Sequence, residues 1–176
     1  MAQDTTLRAV CVAGPSDAGK TTLVEQLVPR LAADGRVGTV KSIHHDIEVD
    51  TPGTDTHRHR TAGADTVVGL TPSMTFEVTT HGKDAPPAAD GDPLLEADDP
   101  DVRALSRTLE RLARRGYETV LIEGASQSPL PTILVGDRDP AAVGGPVVGR
   151  GDDDIDDLVD TIRTLEGLER PERTDS

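Results

Sequence analysis

The sequence from Gly14 to Thr21 reads GPSDAGKT and matches the pattern G-x-x-x-x-G-K-[ST] at every fixed position. This pattern is typical of a phosphate-binding loop, because glycines let the backbone N–H groups wrap closely around an anion. Lys20 is expected to place a point charge on the outer phosphates, and the hydroxyl of Thr21 to bind Mg²⁺. The predicted nucleotide-binding residues are Gly14, Pro15, Ser16, Asp17, Ala18, Gly19, Lys20, Thr21 and Thr22.

The segments on either side of this loop have the pattern of a βαβ unit. Residues 7–13 form a short apolar run that predicts a buried strand. Apolar residues at Leu23, Leu27 and Leu31 have the spacing of one face of a helix, predicted over 21–33. A second strand is predicted over 37–43. The loop motif therefore has the strand–loop–helix context that its function requires.

The remaining sequence continues the alternation of strands and helices. Helices are predicted at 54–64, 102–115 and 155–165, and strands at 65–70, 74–79, 118–122, 132–135 and 147–148. The strands at 65–70 and 74–79 are close enough to pair as a hairpin. We therefore predict an α/β protein with the three-layer P-loop NTPase fold, a mostly parallel central sheet and helices on both faces. We expect a single domain over 1–170, a loop of low order at 83–100 and a frayed tail at 171–176.

Composition argues against two classes of partner. The chain has 176 residues, a net charge of −14, one Phe, one Tyr and no Trp. Nucleic-acid binding needs Lys and Arg for phosphates and aromatic rings for stacking, so we expect no nucleic acid partner. No apolar run reaches membrane-spanning length, so we expect a cytoplasmic protein without a membrane partner. The excess of Asp and the presence of only three lysines indicate adaptation to high salt.

A second feature of the predicted nucleotide site is an acidic residue at a strand end. The apolar strand near Val120 ends at Glu123, and α/β folds commonly hold Mg²⁺ at the carboxyl end of such a strand. Asp46 follows the second predicted strand and is expected to lie near the same ion. The predicted magnesium ligands are Thr21, Asp46 and Glu123.

Four histidines, at positions 44, 45, 57 and 59, leave a transition-metal site open as an alternative. His57 and His59 are two residues apart, so they face different sides of a helix. The cysteine ligands that are common in structural zinc sites are absent. We therefore favour a loop near the γ-phosphate, with Asp46 close to Mg²⁺, over a dedicated zinc or nickel site.

Several segments together resemble the molybdopterin-guanine dinucleotide biosynthesis protein B family. Its members typically show a G-x-x-x-x-G-K-T loop, a K-x-x-H-H-D segment, a P-G-x-D turn followed by A-G-A, and a late V-E-G strand end. This chain has KSIHHD at 41–46, PGTD at 52–55, AGA at 62–64 and IEG at 122–124. The resemblance is close over 10–70 and weaker over 117–124.

The resemblance implies a GTP-binding protein with weak hydrolysis at most, acting as a homodimer. It would assist the nucleotidyltransferase that joins GMP to molybdopterin. Asp46 and Glu123 would lie near Mg²⁺ in such a protein. The family often has an aromatic residue and a lysine after V-E-G, where this chain has Ala125 and Ser126. Phosphates would be held by Gly14, Asp17, Gly19, Lys20, Thr21 and Thr22.

The preference for GTP over ATP depends on this resemblance. The chain contains no Asn, so the N-K-x-D motif with which many GTPases read guanine is missing. Asp139 is a distant substitute that could accept from guanine, but we favour a plain charged turn at this position. Two other functions stay open as alternatives: an ATP-dependent synthetase of the dethiobiotin synthetase type and a GTPase that delivers nickel.

Overall fold

A computed structural model of the chain describes residues 6–83, 93–96 and 98–169. These residues fall into two compact units, one formed by 6–42, 93–96 and 98–169 and the other by 43–83. Such a division does not by itself separate a chain into domains, so one domain over 1–170 stays a prediction. The predicted tail at 171–176 and most of the predicted loop at 83–100 lie outside the described residues.

The described strands and helices follow the predicted alternation. In chain order they are β1 (Arg8–Ala13), α1 (Lys20–Leu31), β2 (Val37–Lys41), α2 (Asp55–Thr61), β3 (Thr66–Leu70), β4 (Thr75–Thr79), α3 (Pro100–Arg114), β5 (Thr119–Glu123), β6 (Thr132–Leu134), β7 (Val147–Arg150) and α4 (Ile155–Thr164). A short 3-10 helix covers Pro140–Ala142. The strand predicted over 37–43 ends at Lys41, because its partner strand ends at Glu123, which pairs with Lys41.

The first unit contains a five-stranded sheet with the order β2-β5-β1-β6-β7. Every neighbouring pair in this sheet is parallel. β1 is the central strand and bonds to β5 on one side and to β6 on the other. The carboxyl ends of all five strands therefore meet at one edge of the sheet, the edge at which α/β folds bind ligands.

Helices cover both faces of this sheet, because side chains of β1 alternate between two apolar clusters. Val10 and Val12 pack with residues of α1 and α4 on one face. Ala9 and Cys11 pack with residues of α3 on the other face. This arrangement confirms the predicted three-layer α/β fold with a parallel central sheet. Burial raises the pKa of the Cys11 thiol to about 11, so this side chain is an uncharged part of the core.

The second unit contains α2 and an antiparallel hairpin formed by β3 and β4. This pairing confirms the hairpin predicted from the sequence. Val67 and Gly69 are buried, whereas Val68 and Leu70, which alternate with them along β3, are exposed. Met74, in the turn between the strands, is also exposed.

Within the described residues, no helix has both the length and the apolar character needed to cross a membrane.

The Leu27→Ala variant tests the packing of α1 against the sheet. Leu27 is completely buried in the cluster that also contains Val12. Removing its side chain is expected to lower the free energy of unfolding by about 2–5 kcal/mol, because a cavity replaces well-packed methyl groups. Urea unfolding followed by circular dichroism measures this change. Gln26→Ala, at an exposed position of the same helix, is the control and is expected to change stability by about 0.5 kcal/mol or less. Equal losses in the two variants would contradict this packing.

Candidate functional site

The loop at 14–19 connects the carboxyl end of β1 to the first turn of α1. Gly19 lies at the N-cap of α1 with φ 95°, in the left-handed region that glycine adopts at little cost. Asp17 also has a positive φ, of 60°. The amino end of α1 therefore opens onto the loop with no side-chain cap bonded to its N–H groups. Free N–H groups at a helix start are suited to hold an anion.

Gly14 is required for a close approach between the loop and the segment after β6. A Cβ atom at this position would lie 2.3 Å from the carbonyl oxygen of Val135, which leaves no room for a side chain. Gly136, the next residue of that segment, packs close to Ala18. The absence of a side chain at Gly14 thus lets the loop pack closely against the segment after β6.

Lys20 is the first residue of α1, and its ammonium points back over the loop. Its Nζ donates a hydrogen bond to the carbonyl oxygen of Gly14 at 3.0 Å and another to that of Pro15. These contacts hold one positive charge at the mouth of the loop, beside the amino end of the helix. Both features favour a negatively charged ligand at this position.

Two of the three predicted magnesium ligands meet at the sheet edge. The hydroxyl of Thr21 lies 3.1 Å and 3.0 Å from the two carboxylate oxygens of Glu123. Glu123 is the last residue of β5, and its register opposite Val12 places it beside the start of the loop. A hydroxyl and a carboxylate are oxygen donors of the kind that Mg²⁺ prefers. These two side chains fit a magnesium ion bound together with a nucleotide.

Glu123 also has a basic partner that the sequence motifs did not point out as a site residue. The Nζ of Lys41 lies 3.1 Å from Oε1 of Glu123. Lys41 is the last residue of β2 and pairs with Glu123 in the sheet. Glu123 thus joins the first turn of α1 to the end of β2.

Asp46, the third predicted magnesium ligand, belongs to the second unit and is exposed there. Its place beside the ion stays a prediction. Thr22 lies in the first turn of α1, and its contact with the inner phosphate is also still a prediction.

Two residues that the sequence left without clear roles have structural partners. Asp139 caps the short 3-10 helix by accepting a hydrogen bond from the backbone N–H of Ala141 at 2.9 Å. This cap gives Asp139 a structural role in the turn. Ser126, at one of the two positions where the chain departs from the family pattern, accepts a hydrogen bond from Arg138 at 3.1 Å.

The histidine-containing helix α2 is held to the segment before it by polar contacts. The backbone N–H of Gly53 donates to Nδ1 of His57 at 3.3 Å, and Nε2 of His57 lies 3.8 Å from a carboxylate oxygen of Glu48. Arg60 donates to the same carboxylate. The sequence did not indicate these local roles for His57 and Arg60.

The acidic groups of this segment are stabilised in their charged form. The hydrogen bond from Arg60 holds the pKa of Glu48 below its usual value. A hydrogen bond from Thr56, with a further one from Thr54, lowers the pKa of Asp50 in the same way. Within the described residues, no group of three or more His, Cys, Asp and Glu side chains is arranged to hold a metal ion.

The contact between Arg60 and Glu48 has a testable consequence for pH dependence. Since the folded protein lowers the pKa of Glu48, the contact stabilises the fold above the unfolded pKa of about 4.3. This stabilisation is lost as the pH falls through the folded pKa. In Arg60→Ala we expect the pKa of Glu48 to rise toward the unfolded value, and carboxyl NMR titration measures it.

Arg58→Ala is the matched control for this titration. It removes the same charge from the same helix, but Arg58 pairs with Asp55 rather than with Glu48. A similar rise in the pKa of Glu48 in both variants would show that general charge, and not the direct contact, sets its value.

Comparisons with known proteins identify the family to which this chain is similar. The family model described as molybdopterin guanine dinucleotide synthesis protein B matches residues 9–142. The chain is 35% identical over 125 residues to the molybdopterin-guanine dinucleotide biosynthesis adapter protein of Haemophilus influenzae, covering 70% of this chain and 60% of that protein. It is 46% identical over 65 residues to the adapter protein of Escherichia coli K12, covering 36% of this chain and 37% of that protein. The chain thus spans less than two thirds of these relatives.

Solved structures show the same fold at lower identity. The crystal structure of Bacillus subtilis MobB has a TM-score of 0.62 and 19% identity, and the comparison covers 90% of this chain and all of that one. A crystal structure of molybdopterin-guanine biosynthesis protein B has a TM-score of 0.58 and 20% identity, with 90% and 99% covered. At this identity the likeness supports the fold alone.

Proposed function

This chain belongs to the molybdopterin guanine dinucleotide synthesis protein B family, and we propose that it is a GTP-binding accessory protein of molybdenum cofactor maturation. The observation that carries the proposal is the loop at 14–19 with the Thr21–Glu123 pair at its end. All of these residues lie inside the segment of 9–142 that the family model matches. The family supports this function over the synthetase and nickel-delivery alternatives.

In this proposal the loop and the start of α1 hold the phosphates of GTP. The backbone N–H groups of the loop and the helix start donate to phosphate oxygens, and Lys20 neutralises the outer phosphates. Thr21 and Glu123 hold Mg²⁺, directly or through water, with Asp46 as a further ligand. The magnesium ion would draw charge from the outer phosphates when it is bound.

Guanine specificity is proposed from family membership. The chain has no Asn for an N-K-x-D motif, and a carboxylate oxygen of Asp139 is engaged in capping the 3-10 helix. Slow hydrolysis at most is likewise proposed from family membership. In this proposal the partner recognises the nucleotide-bound chain and does not depend on rapid hydrolysis.

The proposed partner is the nucleotidyltransferase that joins GMP to molybdopterin. Two similar proteins carry the name adapter protein, which fits a protein that works through a partner enzyme. We further propose that the chain acts as a cytoplasmic homodimer, and that its acidic composition is an adaptation to high salt.

Nucleotide binding gives the first test of this function. In concentrated KCl with Mg²⁺, isothermal titration calorimetry is expected to show tighter binding of GTP than of ATP. Lys20→Ala is expected to weaken GTP binding by roughly 10- to 100-fold, because it removes a charged hydrogen-bond donor to phosphate. Lys83→Ala removes the same charge elsewhere and is expected to bind as the wild type does.

The outcomes of this titration separate the proposals. ATP binding as tight as GTP binding would contradict the guanine preference and favour the synthetase alternative. A folded wild-type protein that binds neither nucleotide would overturn the proposed function.

The partner gives a second test. When the chain is mixed with the purified nucleotidyltransferase and GTP, size-exclusion chromatography with light scattering is expected to show a complex larger than either protein. The same measurement on the chain alone is expected to give about twice the mass of 18.6 kDa. Separate elution of the two proteins at high micromolar concentration, with and without GTP, would argue against the adapter role.

A further inference from the structure

Lys41 is held at the candidate nucleotide site by a contact with a mostly buried carboxylate. The side chain of Glu123 is only 14% exposed, whereas that of Lys41 is 59% exposed. Their contact of 3.1 Å thus joins a carboxylate fixed at the sheet edge to an ammonium that reaches solvent. Because the lysine stem is long and flexible, the ammonium can move while the carboxylate stays in place.

The order of the strands places Lys41 beside the phosphate-binding loop. β5 lies between β2 and β1, so the end of β2 is about 10 Å, or two strand spacings, from the strand that leads into the loop. The carboxylate of Glu123 spans part of this distance, with Lys41 on one side and the hydroxyl of Thr21 on the other. Lys41 and the proposed magnesium ligand Thr21 therefore contact the same carboxylate.

A magnesium ion bound to Glu123 would compete with Lys41 for this carboxylate. Mg²⁺ held by Thr21 and Glu123 would supply two positive charges where the ammonium now supplies one. Two cations bound to one carboxylate repel each other, and the repulsion is strong where the carboxylate is shielded from water. The phosphates bound to that ion would offer Lys41 a new anionic partner on the same side of the sheet.

The composition of the chain gives a second, independent reason to assign a function to this side chain. Its 18 basic residues include only three lysines, Lys20, Lys41 and Lys83, and two of the three lie at this site. Arginine suits fixed, forked contacts with carboxylates, and the chain uses it in several ion pairs, such as Arg60 with Glu48 and Arg163 with Asp34. The compact charge and mobile stem of lysine suit a side chain that exchanges one ionic partner for another.

We propose that Lys41 is a second phosphate-binding lysine of this site, which leaves Glu123 and contacts the terminal phosphate when magnesium and a nucleoside triphosphate bind. This inference rests on the proposed nucleotide binding, and it adds a residue that distinguishes triphosphate from diphosphate. Lys20 serves both nucleotides, whereas Lys41 serves only the one with a third phosphate.

The Lys41→Met variant tests the inference, since methionine keeps much of the apolar stem and removes the charge. With Mg²⁺ present, calorimetry is expected to show roughly 10- to 100-fold weaker binding of a non-hydrolysable GTP analogue. Binding of GDP is expected to change by about twofold or less, since a diphosphate lacks the proposed partner of Lys41. Lys83→Met, which makes the same change at the remaining lysine, is the matched control and is expected to leave both affinities unchanged.

Two results would overturn the inference while leaving the proposed function intact. An equal loss of GTP-analogue and GDP binding would show that Lys41 only positions Glu123. Unchanged binding of both nucleotides would show that the lysine has no part in the site. Failure of the wild-type protein to bind either nucleotide would instead overturn the proposed function, and the inference with it.

A second measurement serves if Lys41→Met does not fold. Lysine labelled with ¹³C at Cε gives one signal for each of the three lysines, and Lys41→Arg assigns the signal of Lys41. Adding the magnesium complex of the GTP analogue to the wild type is expected to shift this signal to a position that the GDP complex does not produce. The same position in both complexes would contradict a contact with the terminal phosphate.

Discussion

The central strand β1 is bonded on both edges and buried on both faces, and the candidate site depends on this position. Five of its six residues are buried, and its neighbours are β5 and β6. A parallel sheet directs all of its strand ends to one edge, so the loop after β1 and the end of β5 meet there. Because these strand ends share one edge, Gly14 lies against Val135 after β6, and Glu123 lies beside Thr21. The apolar core thus determines where the polar groups gather.

The charged groups at this edge of the sheet are of both signs and have partners within the protein. Lys20 is bonded to backbone carbonyls, while Glu123 is shared between Thr21 and Lys41. These contacts satisfy each charged group from within the protein. A magnesium–nucleotide complex brings both a cation for the carboxylate and anions for the lysines, so it can replace the internal contacts without leaving a charge unpaired.

The fold and the loop could be predicted from the sequence alone because both depend on patterns of residues that are close together in the chain. The spacing of Leu23, Leu27 and Leu31 predicted α1, and the three residues are buried in the structure. Glu123 could be predicted as a site residue because it ends an apolar strand. Its partner Lys41 could not, because that contact depends on β5 lying next to β2, although about 80 residues separate them in the chain.

The second unit shows a different limit of sequence analysis. Its hairpin was predictable from two short apolar strands joined by a short turn, and the structure contains it. The contacts of Glu48 with His57 and Arg60 were not, because they join a loop to a helix through side chains with no characteristic spacing. The histidines left a metal site open as an alternative, and the structure shows His57 in polar contacts with Gly53 and Glu48. Residue type indicates which contacts a side chain can make, and the folded structure shows which of them it makes.

The acidity of the chain places a constraint on how any nucleotide binds. With a net charge of −14, the protein as a whole repels an anion, so long-range attraction cannot guide a triphosphate to the loop. At the proposed site, binding would come from short-range donors, namely the N–H groups at the start of α1 and the ammonium groups of Lys20 and Lys41. High salt screens the long-range repulsion and weakens such direct contacts much less. A strongly acidic surface and an anion-binding site are therefore compatible in concentrated salt, provided that the few basic groups of the site lie within bonding distance of the phosphates.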